Sequence, residues 1–179
     1  SVRALKVHGG VPASQAAQPN ADALRRGLEN LRKHLESVRG FGIEPVVLLN
    51  LRAEDPASEV QLVLDALAAD GVEGGAADVY GRGGEGATAV AERVLARAAT
   101  ATPTPHYMYD LNEAPMDKIR HVAGRIYGAA DVDFSVTAKK QIDRAVALGF
   151  GNLPICMAKT HLSLSDDEKL VGRPRNFDM

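Results

Sequence analysis

Apolar residues recur along the chain in two alternating patterns, one typical of helices and one typical of buried strands. After Asn20 they are spaced by three and four residues, which predicts an amphipathic helix with Asn20 as its N-cap and a stop at Gly40. The apolar positions of this helix are Leu24, Leu28, Leu31, Leu35 and Val38. The continuous apolar run Pro45–Leu49 then predicts a parallel strand that is buried on both faces.

The alternation continues on both sides of this helix and strand. Residues 2–7 alternate enough to predict the end of a strand. Asp55 and Pro56 predict the start of a second helix, with Asp55 as its cap and Pro56 at its first position. Gly71 is predicted to end that helix, and Ala77–Tyr80 to form a strand that runs into a glycine-rich loop.

A threonine- and proline-rich stretch, Thr100–Pro105, predicts a boundary between two α/β segments, residues 1–105 and 106–179. In the second segment, incomplete at its C-terminal end, helices are predicted to begin near Pro115 and at Ser135.

Two strands are also predicted in this segment, Val132–Phe134 and the apolar run Pro154–Ala158. Strands that alternate with helices throughout indicate an α/β fold with one or more largely parallel sheets.

Composition and charge narrow the function classes. The formal net charge is -2 and no long run of lysine and arginine occurs, so nucleic acid is not an expected partner. No apolar run approaches the roughly 20 residues that span a bilayer, so no membrane partner is expected. Cys156 is the single cysteine, which excludes a disulfide framework and favours the cytoplasm, and we expect it to pack inside its strand.

The glycine-rich loop contains G-x-G-x-x-G at Gly81, Gly83 and Gly86. A dinucleotide site would also need a second strand that ends in an acidic residue about 20 positions later, and the sequence has no such strand. Two interpretations stay open, a tight turn and a loop of another kind that faces a phosphate or polyanion. The sequence also lacks the G-x-x-x-x-G-K-[ST] pattern of a Walker A loop.

Two cation–imidazole pairs follow predicted strand ends, Lys6 with His8 and Lys159 with His161. Each pair could hold an anionic substrate, because ligands of open α/β sheets bind beyond the carboxyl ends of strands. Each could equally be a solvated loop. The five histidines show no ligand spacing with Cys156, so no metal site is predicted.

Four stretches together resemble the formate–tetrahydrofolate ligase family, and the resemblance runs through the chain in order. They are VRALKVHGG (Val2–Gly10), VYGRGGEG (Val79–Gly86), IYGAADVDFS (Ile126–Ser135) and GFGNLPICMAKTHLSLS (Gly149–Ser165). The resemblance implies a P-loop NTPase-like or Rossmann-like architecture. It also implies ATP-dependent ligation of formate to tetrahydrofolate through formyl phosphate, an enzyme of one-carbon metabolism. ATP with Mg²⁺, a K⁺ or NH4⁺ activator and a homotetramer are implied as well.

The resemblance places the P-loop lysine and the formyl-phosphate-binding arginine of the family outside this chain. We therefore expect a piece of a longer polypeptide that is inactive in ligation by itself. The signature over Arg3–Gly10 lies near the active site in the family. Lys6, His8, Gly9 and Gly10 are accordingly expected to contact nucleotide or pterin.

Members of the family hold the pterin ring between two aromatic side chains. One belongs to a stretch resembling N-x-F-x-x-D-T, which here begins at Asn50 and carries Arg52 at the phenylalanine position. The other is a tryptophan, whose position here is Tyr80, while Gly83, Gly84 and Gly86 would let the backbone approach the ligand. Tyrosine and a guanidinium plane can both stack on a ring. The alternatives are a divergent or truncated relative that binds folate or nucleotide without ligation, and a module that only packs.

Overall fold

Two parallel strands, β1 (Val46–Asn50) and β2 (Glu73–Ala77), form the sheet of the first of two structural units. The register pairs Asn50 with Ala77, so both strands end at the same edge of the sheet. Helix α3 (Ala57–Ala69) connects them. A mixed α/β class is therefore confirmed, with two strands in the described sheet.

The computed structural model describes residues 1–102, 104–158 and 163–179. Its two units are Ser1–Thr104 and Pro105–Met179. No helix within the described residues is long and apolar enough to cross a bilayer. Lys159 and His161, the second candidate anion pair, lie outside the described residues.

The core of the first unit lies where helices α1 (Val2–His8), α2 (Ala21–Gly40) and α3 meet strand β1. The prediction for α2 is confirmed, because the Asn20 side chain accepts a hydrogen bond from the amide of Ala23. Buried core residues come from each of these elements and from the position just before β2: Val2, Leu5, Leu24, Leu28, Leu35, Leu49, Val63, Leu67 and Val72. Burial of each large apolar side chain stabilises the fold by about 1.5–3 kcal/mol.

The predicted strand over residues 2–7 is wrong, because this segment is helix α1. Val2 and Leu5 are three residues apart and both are buried, a spacing that puts them on one face of a helix but on opposite faces of a strand. The helix packs very closely on α2. A Cβ on Gly9 would lie 1.8 Å from the carbonyl oxygen of Ala23, and one on Gly27 would lie 1.8 Å from that of Leu5.

Strand β1 exists as predicted, but its burial on both faces is wrong. Leu49 is buried against the core, whereas Leu48 is 44% exposed. On the Leu48 face, helix α5 (Thr88–Thr100) packs mainly over β2, where a Cβ on Gly75 would lie 2.9 Å from a Val90 methyl group. The described part of the unit therefore covers β2 better than β1 on this face.

The second unit contains helices α6 (Pro115–Val122) and α7 (Val136–Ala147), with a π-helical turn directly after α6. The helix starts predicted from Pro115 and Ser135 are confirmed, and Ser135 accepts a hydrogen bond from the amide of Ala138. The ammonium of Lys118 is buried and donates to the carbonyl oxygens of Gly151 and Leu153, at 2.8 and 3.1 Å.

The two strands predicted in this unit are wrong. The described residues there contain one isolated bridge, between Asp131 and Asp178, and Pro154–Ala158 has no regular structure. The Tyr109 hydroxyl accepts from the amide of Ile155 at 2.8 Å, so a side chain satisfies a backbone group that a sheet would have paired. Cys156 is exposed, which corrects the prediction that it packs inside a strand.

Candidate functional site

The candidate site lies at the carboxyl edge of the sheet, where the chain leaves β1 and β2. Because Asn50 and Ala77 are paired in register, the loops that follow them start side by side. The amide of Leu51 extends this pairing by donating to the carbonyl of Ala77 at 2.9 Å. This edge is where ligands bind in open parallel sheets.

The structure brings together the two residues expected to flank a planar ligand. The guanidinium carbon of Arg52 lies 5.6 Å from the centroid of the Tyr80 ring, within the range of a cation–π interaction. The Tyr80 side chain is 85% exposed, so its ring is open to solvent. Asn50, the last residue of β1, is exposed at the base of the Arg52 loop.

The loop after β1 contains a turn that two hydrogen bonds between Arg52 and Asp55 close. The amide of Asp55 donates to the carbonyl of Arg52 at 3.0 Å, and the Asp55 carboxylate accepts from the amide of Arg52 at 2.9 Å. Asp55 was predicted as the cap of α3, but the N-cap residue is Pro56 and no side chain caps that helix. The carboxylate therefore bonds to the backbone of the Arg52 turn and does not cap α3.

The loop after β2 is helical, which corrects the prediction of a strand over Ala77–Tyr80. The strand ends at Ala77, and a four-residue helix, α4 (Val79–Arg82), carries Tyr80. Asp78 caps this helix by accepting from the amide of Gly81 at 2.8 Å. One amide at this helix start is thus already bonded to a carboxylate, whose negative charge would also repel a phosphate.

The remaining loop glycines have different surroundings. Gly83 adopts a φ of 58°, which favours glycine, and Gly84 is exposed with open space around it. A Cβ on Gly86 would lie 1.9 Å from the carbonyl oxygen of Asp78, so glycine is required there to fold the loop back on itself. The tight-turn interpretation therefore accounts for Gly83 and Gly86.

Lys6 is directed into the protein. Its side chain is fully buried and its ammonium lies 2.8 Å from the Glu59 carboxylate of α3. It also donates to the carbonyl of Gln18 at 2.9 Å, while the second Glu59 oxygen accepts from the amide of Asn20. The pair ties α1, the loop before α2 and α3 together, and it leaves the Lys6 ammonium no exposed face for a ligand.

The end of α1 carries the other three residues of the signature. His8 is half-buried, and burial first, then the nearby His34, lower the pKa of its imidazole below the ordinary value of 6.5. Gly9 is buried against α2 and its carbonyl accepts from Arg26 at 3.0 Å, whereas Gly10 is exposed. Burial thus favours the neutral form of His8, and only Gly10 of the two glycines is open to solvent.

Three charged residues at the Arg52 loop, Arg3, Glu54 and Asp55, were not predicted as site residues. Arg3 of α1 pairs with Glu54 at 2.7 Å, and its Nε lies 3.7 Å from the Asp55 carboxylate. The Asp55 side chain is only 3% exposed. The signal in the sequence was the spacing from Arg52 to Asp55, three residues, which allows a side chain to close a turn.

The site has the chemistry of a binding surface for a flat ring. A tyrosine ring and a guanidinium plane offer two faces for stacking. Among the residues that the structure describes, no group of three or more histidine, cysteine or acidic side chains could hold a metal ion.

Comparison with known proteins identifies what this chain is similar to. The sequence profile for formate–tetrahydrofolate ligase matches residues 1–179. A formate–tetrahydrofolate ligase from Myxococcus xanthus (strain DK1622) is 43% identical over 182 residues, which cover 100% of this chain and 33% of that protein. The ligase of Paenarthrobacter aurescens (strain TC1) is 42% identical over 180 residues, covering 99% of this chain and 32% of the relative. The chain therefore spans about a third of the length of the curated relatives it matches.

Proposed function

Because this chain belongs to the formate–tetrahydrofolate ligase family, we propose that it provides the folate-binding part of an ATP-dependent ligase that joins formate to tetrahydrofolate. The observation that carries the proposal is the meeting of Arg52 and Tyr80 at the carboxyl edge of the sheet. The product would be 10-formyltetrahydrofolate, made through formyl phosphate. A homo-oligomeric enzyme in the cytoplasm is part of the same proposal.

The pterin ring would lie between Arg52 and Tyr80. A stacked contact takes about 3.5–4 Å, so a ring between two flat groups needs them about 7–8 Å apart. The distance here is 5.6 Å, which means that the two side chains must separate to admit the ring. Arg52 lies on a loop and Tyr80 on the four-residue helix α4, and Tyr80 is highly exposed, so its rotamer can change at little cost.

The chemical step needs more than these residues. ATP, Mg²⁺ and a K⁺ or NH4⁺ activator would support phosphoryl transfer, which depends on a positioned triphosphate and its metal. The Asp78 cap and the buried Lys6 disfavour a phosphate site on the glycine loop or on α1. We therefore assign no catalytic residue to this chain, and we expect the ligation to require the nucleotide site of a longer polypeptide.

Thermal unfolding of the 179-residue chain tests the proposal. Tetrahydrofolate at a hundred times its Kd should stabilise the chain by about 2.7 kcal/mol and raise its Tm by about 5–10 °C. ATP with Mg²⁺ should leave the Tm unchanged, and no formate-dependent ADP release is expected. Absence of any shift with tetrahydrofolate would contradict the proposal and favour a module that only packs.

A second candidate function is binding without ligation. It is favoured by the identity of the two flanking residues, because Arg52 and Tyr80 stand where the family is expected to have phenylalanine and tryptophan. Such a relative would bind folate and still fail to release ADP when it is joined to an intact nucleotide-binding segment. Exchange of residues 1–179 into the Myxococcus xanthus ligase, followed by an assay of formate-dependent ADP release, separates the two functions.

A further inference from the structure

We infer that Asp55 is a positioning residue that fixes Arg52 against Tyr80. The inference concerns a residue that makes no expected contact with a ligand. The effect expected on folate binding rests on the proposed function, whereas the effect expected on the position of Arg52 does not.

The first argument is that two hydrogen bonds to Asp55 close the Arg52 turn. One hydrogen bond runs from the Asp55 amide to the Arg52 carbonyl, and another from the Arg52 amide to the Asp55 carboxylate. The two bonds together fix both backbone groups of Arg52. The Arg52 side chain therefore extends toward the Tyr80 ring from a backbone whose position is fixed.

The second argument is that the Asp55 carboxylate is itself anchored. Its side chain is only 3% exposed, and one oxygen lies 3.7 Å from the Nε of Arg3. That Nε is buried and has no hydrogen-bond partner among the described residues, so its contact with the Asp55 carboxylate is an ion pair without a hydrogen bond. Because Arg3 belongs to α1, which packs in the core, Asp55 ties the Arg52 turn to a rigid element.

Glu54 provides a matched control. It is also a carboxylate paired with Arg3, at 2.7 Å, but its side chain is 70% exposed. Among the described contacts it makes no hydrogen bond to the Arg52 backbone, and exposed ion pairs contribute little to structure. Removal of Glu54 should therefore leave the position of Arg52 unchanged, whereas removal of Asp55 should release it.

The test reads the Arg52–Tyr80 contact directly, without folate. In the parent chain the ring current of Tyr80 should shift the δ-methylene resonances of Arg52, and Tyr80→Leu supplies the unshifted reference. Asp55→Ala should move these resonances to the Tyr80→Leu values, and Glu54→Ala should leave them at the parent values. The inference is overturned if a folded Asp55→Ala variant keeps the parent values, or if Glu54→Ala loses them to the same extent.

Hydrogen exchange keeps the inference testable if Asp55→Ala does not fold. The Arg52 amide of the parent chain should exchange more slowly than the neighbouring Ala53 amide, because a buried carboxylate accepts its hydrogen bond. Equal exchange of the two amides would overturn the inference.

Under the proposed function, Asp55→Ala should also weaken tetrahydrofolate binding by about tenfold or more, since a misplaced contact group loses much of its effect. A changed Arg52 resonance without a change in folate affinity would count against the proposed function alone.

Discussion

The guanidinium of Arg52 and the ring of Tyr80 face each other at 5.6 Å, although 27 residues, including helix α3 and strand β2, lie between them in the chain. The parallel register creates this meeting, because it starts both loops at the Asn50–Ala77 pair. Two residues that are unremarkable alone thus form one surface with two flat faces. The proposed folate site depends on this relationship.

The buried ion pair of Lys6 and Glu59 should be essential for stability. Lys6→Met would leave the Glu59 carboxylate buried without its cation, which costs about 3–5 kcal/mol. Urea denaturation measures the free energy of unfolding. Arg25→Ala is the control, because it removes an exposed pair with Asp22 and should change that free energy by less than about 1 kcal/mol. A Lys6→Met chain as stable as Arg25→Ala would show that Lys6 is not buried against Glu59.

The close approach of α1 and α2 should not tolerate a methyl group. Gly27→Ala would place a Cβ 1.8 Å from the carbonyl oxygen of Leu5, and backbone atoms cannot move aside as a flexible side chain can. We expect a loss of about 3 kcal/mol or more, measured by thermal unfolding. Gly40→Ala is the matched control at the end of the same helix, where a Cβ meets nothing within 4 Å. This variant should be neutral or slightly more stable. Equal stability of the two variants would contradict the packing described here.

Stability should fall as the pH is lowered through the histidine range. Burial is the first cause that lowers the pKa of both His8 and His34 below 6.5, with a further contribution from His34 at His8 and from Lys33 at His34. The unfolded chain therefore binds protons at a higher pH than the folded chain does. The contribution of these two histidines to stability is complete above about pH 6.5 and decreases below it, until their folded-state pKa values are passed.

Thermal unfolding between pH 7.5 and pH 5.5 measures this dependence, and the His8→Gln/His34→Gln double variant should flatten it. The Glu44 carboxylate, whose pKa the hydrogen bond from Arg39 lowers from 4.5, loses its contribution only at more acidic pH. A slope that is unchanged in the double variant would assign the effect to other groups.

Local signals in the sequence were sufficient for the elements that have their own caps and periodicity. Asn20 and the leucine spacing define α2, Ser135 defines α7, and the apolar run before Asn50 defines β1. Segments whose structure depends on distant partners were assigned incorrectly. Helix α1 is stabilised by Glu59, 53 residues away, and no pattern within residues 2–7 contains that information.

The same limit applies to the candidate site. Resemblance to the family selected Arg52 and Tyr80, but it could not show that they contact each other or that Asp55 closes the Arg52 turn. It also grouped Lys6 with the ligand-binding residues, whereas burial of its ammonium against Glu59 gives it a structural partner. The bounds of strand Glu73–Ala77 could not be predicted, because Gly74, Gly75 and two alanines have little strand propensity of their own.

Titration calorimetry with tetrahydrofolate tests the central claim most directly. The parent chain, Tyr80→Ala and Tyr107→Ala should be compared, because Tyr80 and Tyr107 are similarly exposed, at 85% and 88%, and lie in different units. Loss of one stacked aromatic face costs about 1–3 kcal/mol, so Tyr80→Ala should bind about 5- to 150-fold more weakly while Tyr107→Ala keeps the parent Kd. A Tyr80→Ala chain that binds tetrahydrofolate like the parent, or a parent chain that does not bind it, would contradict the account.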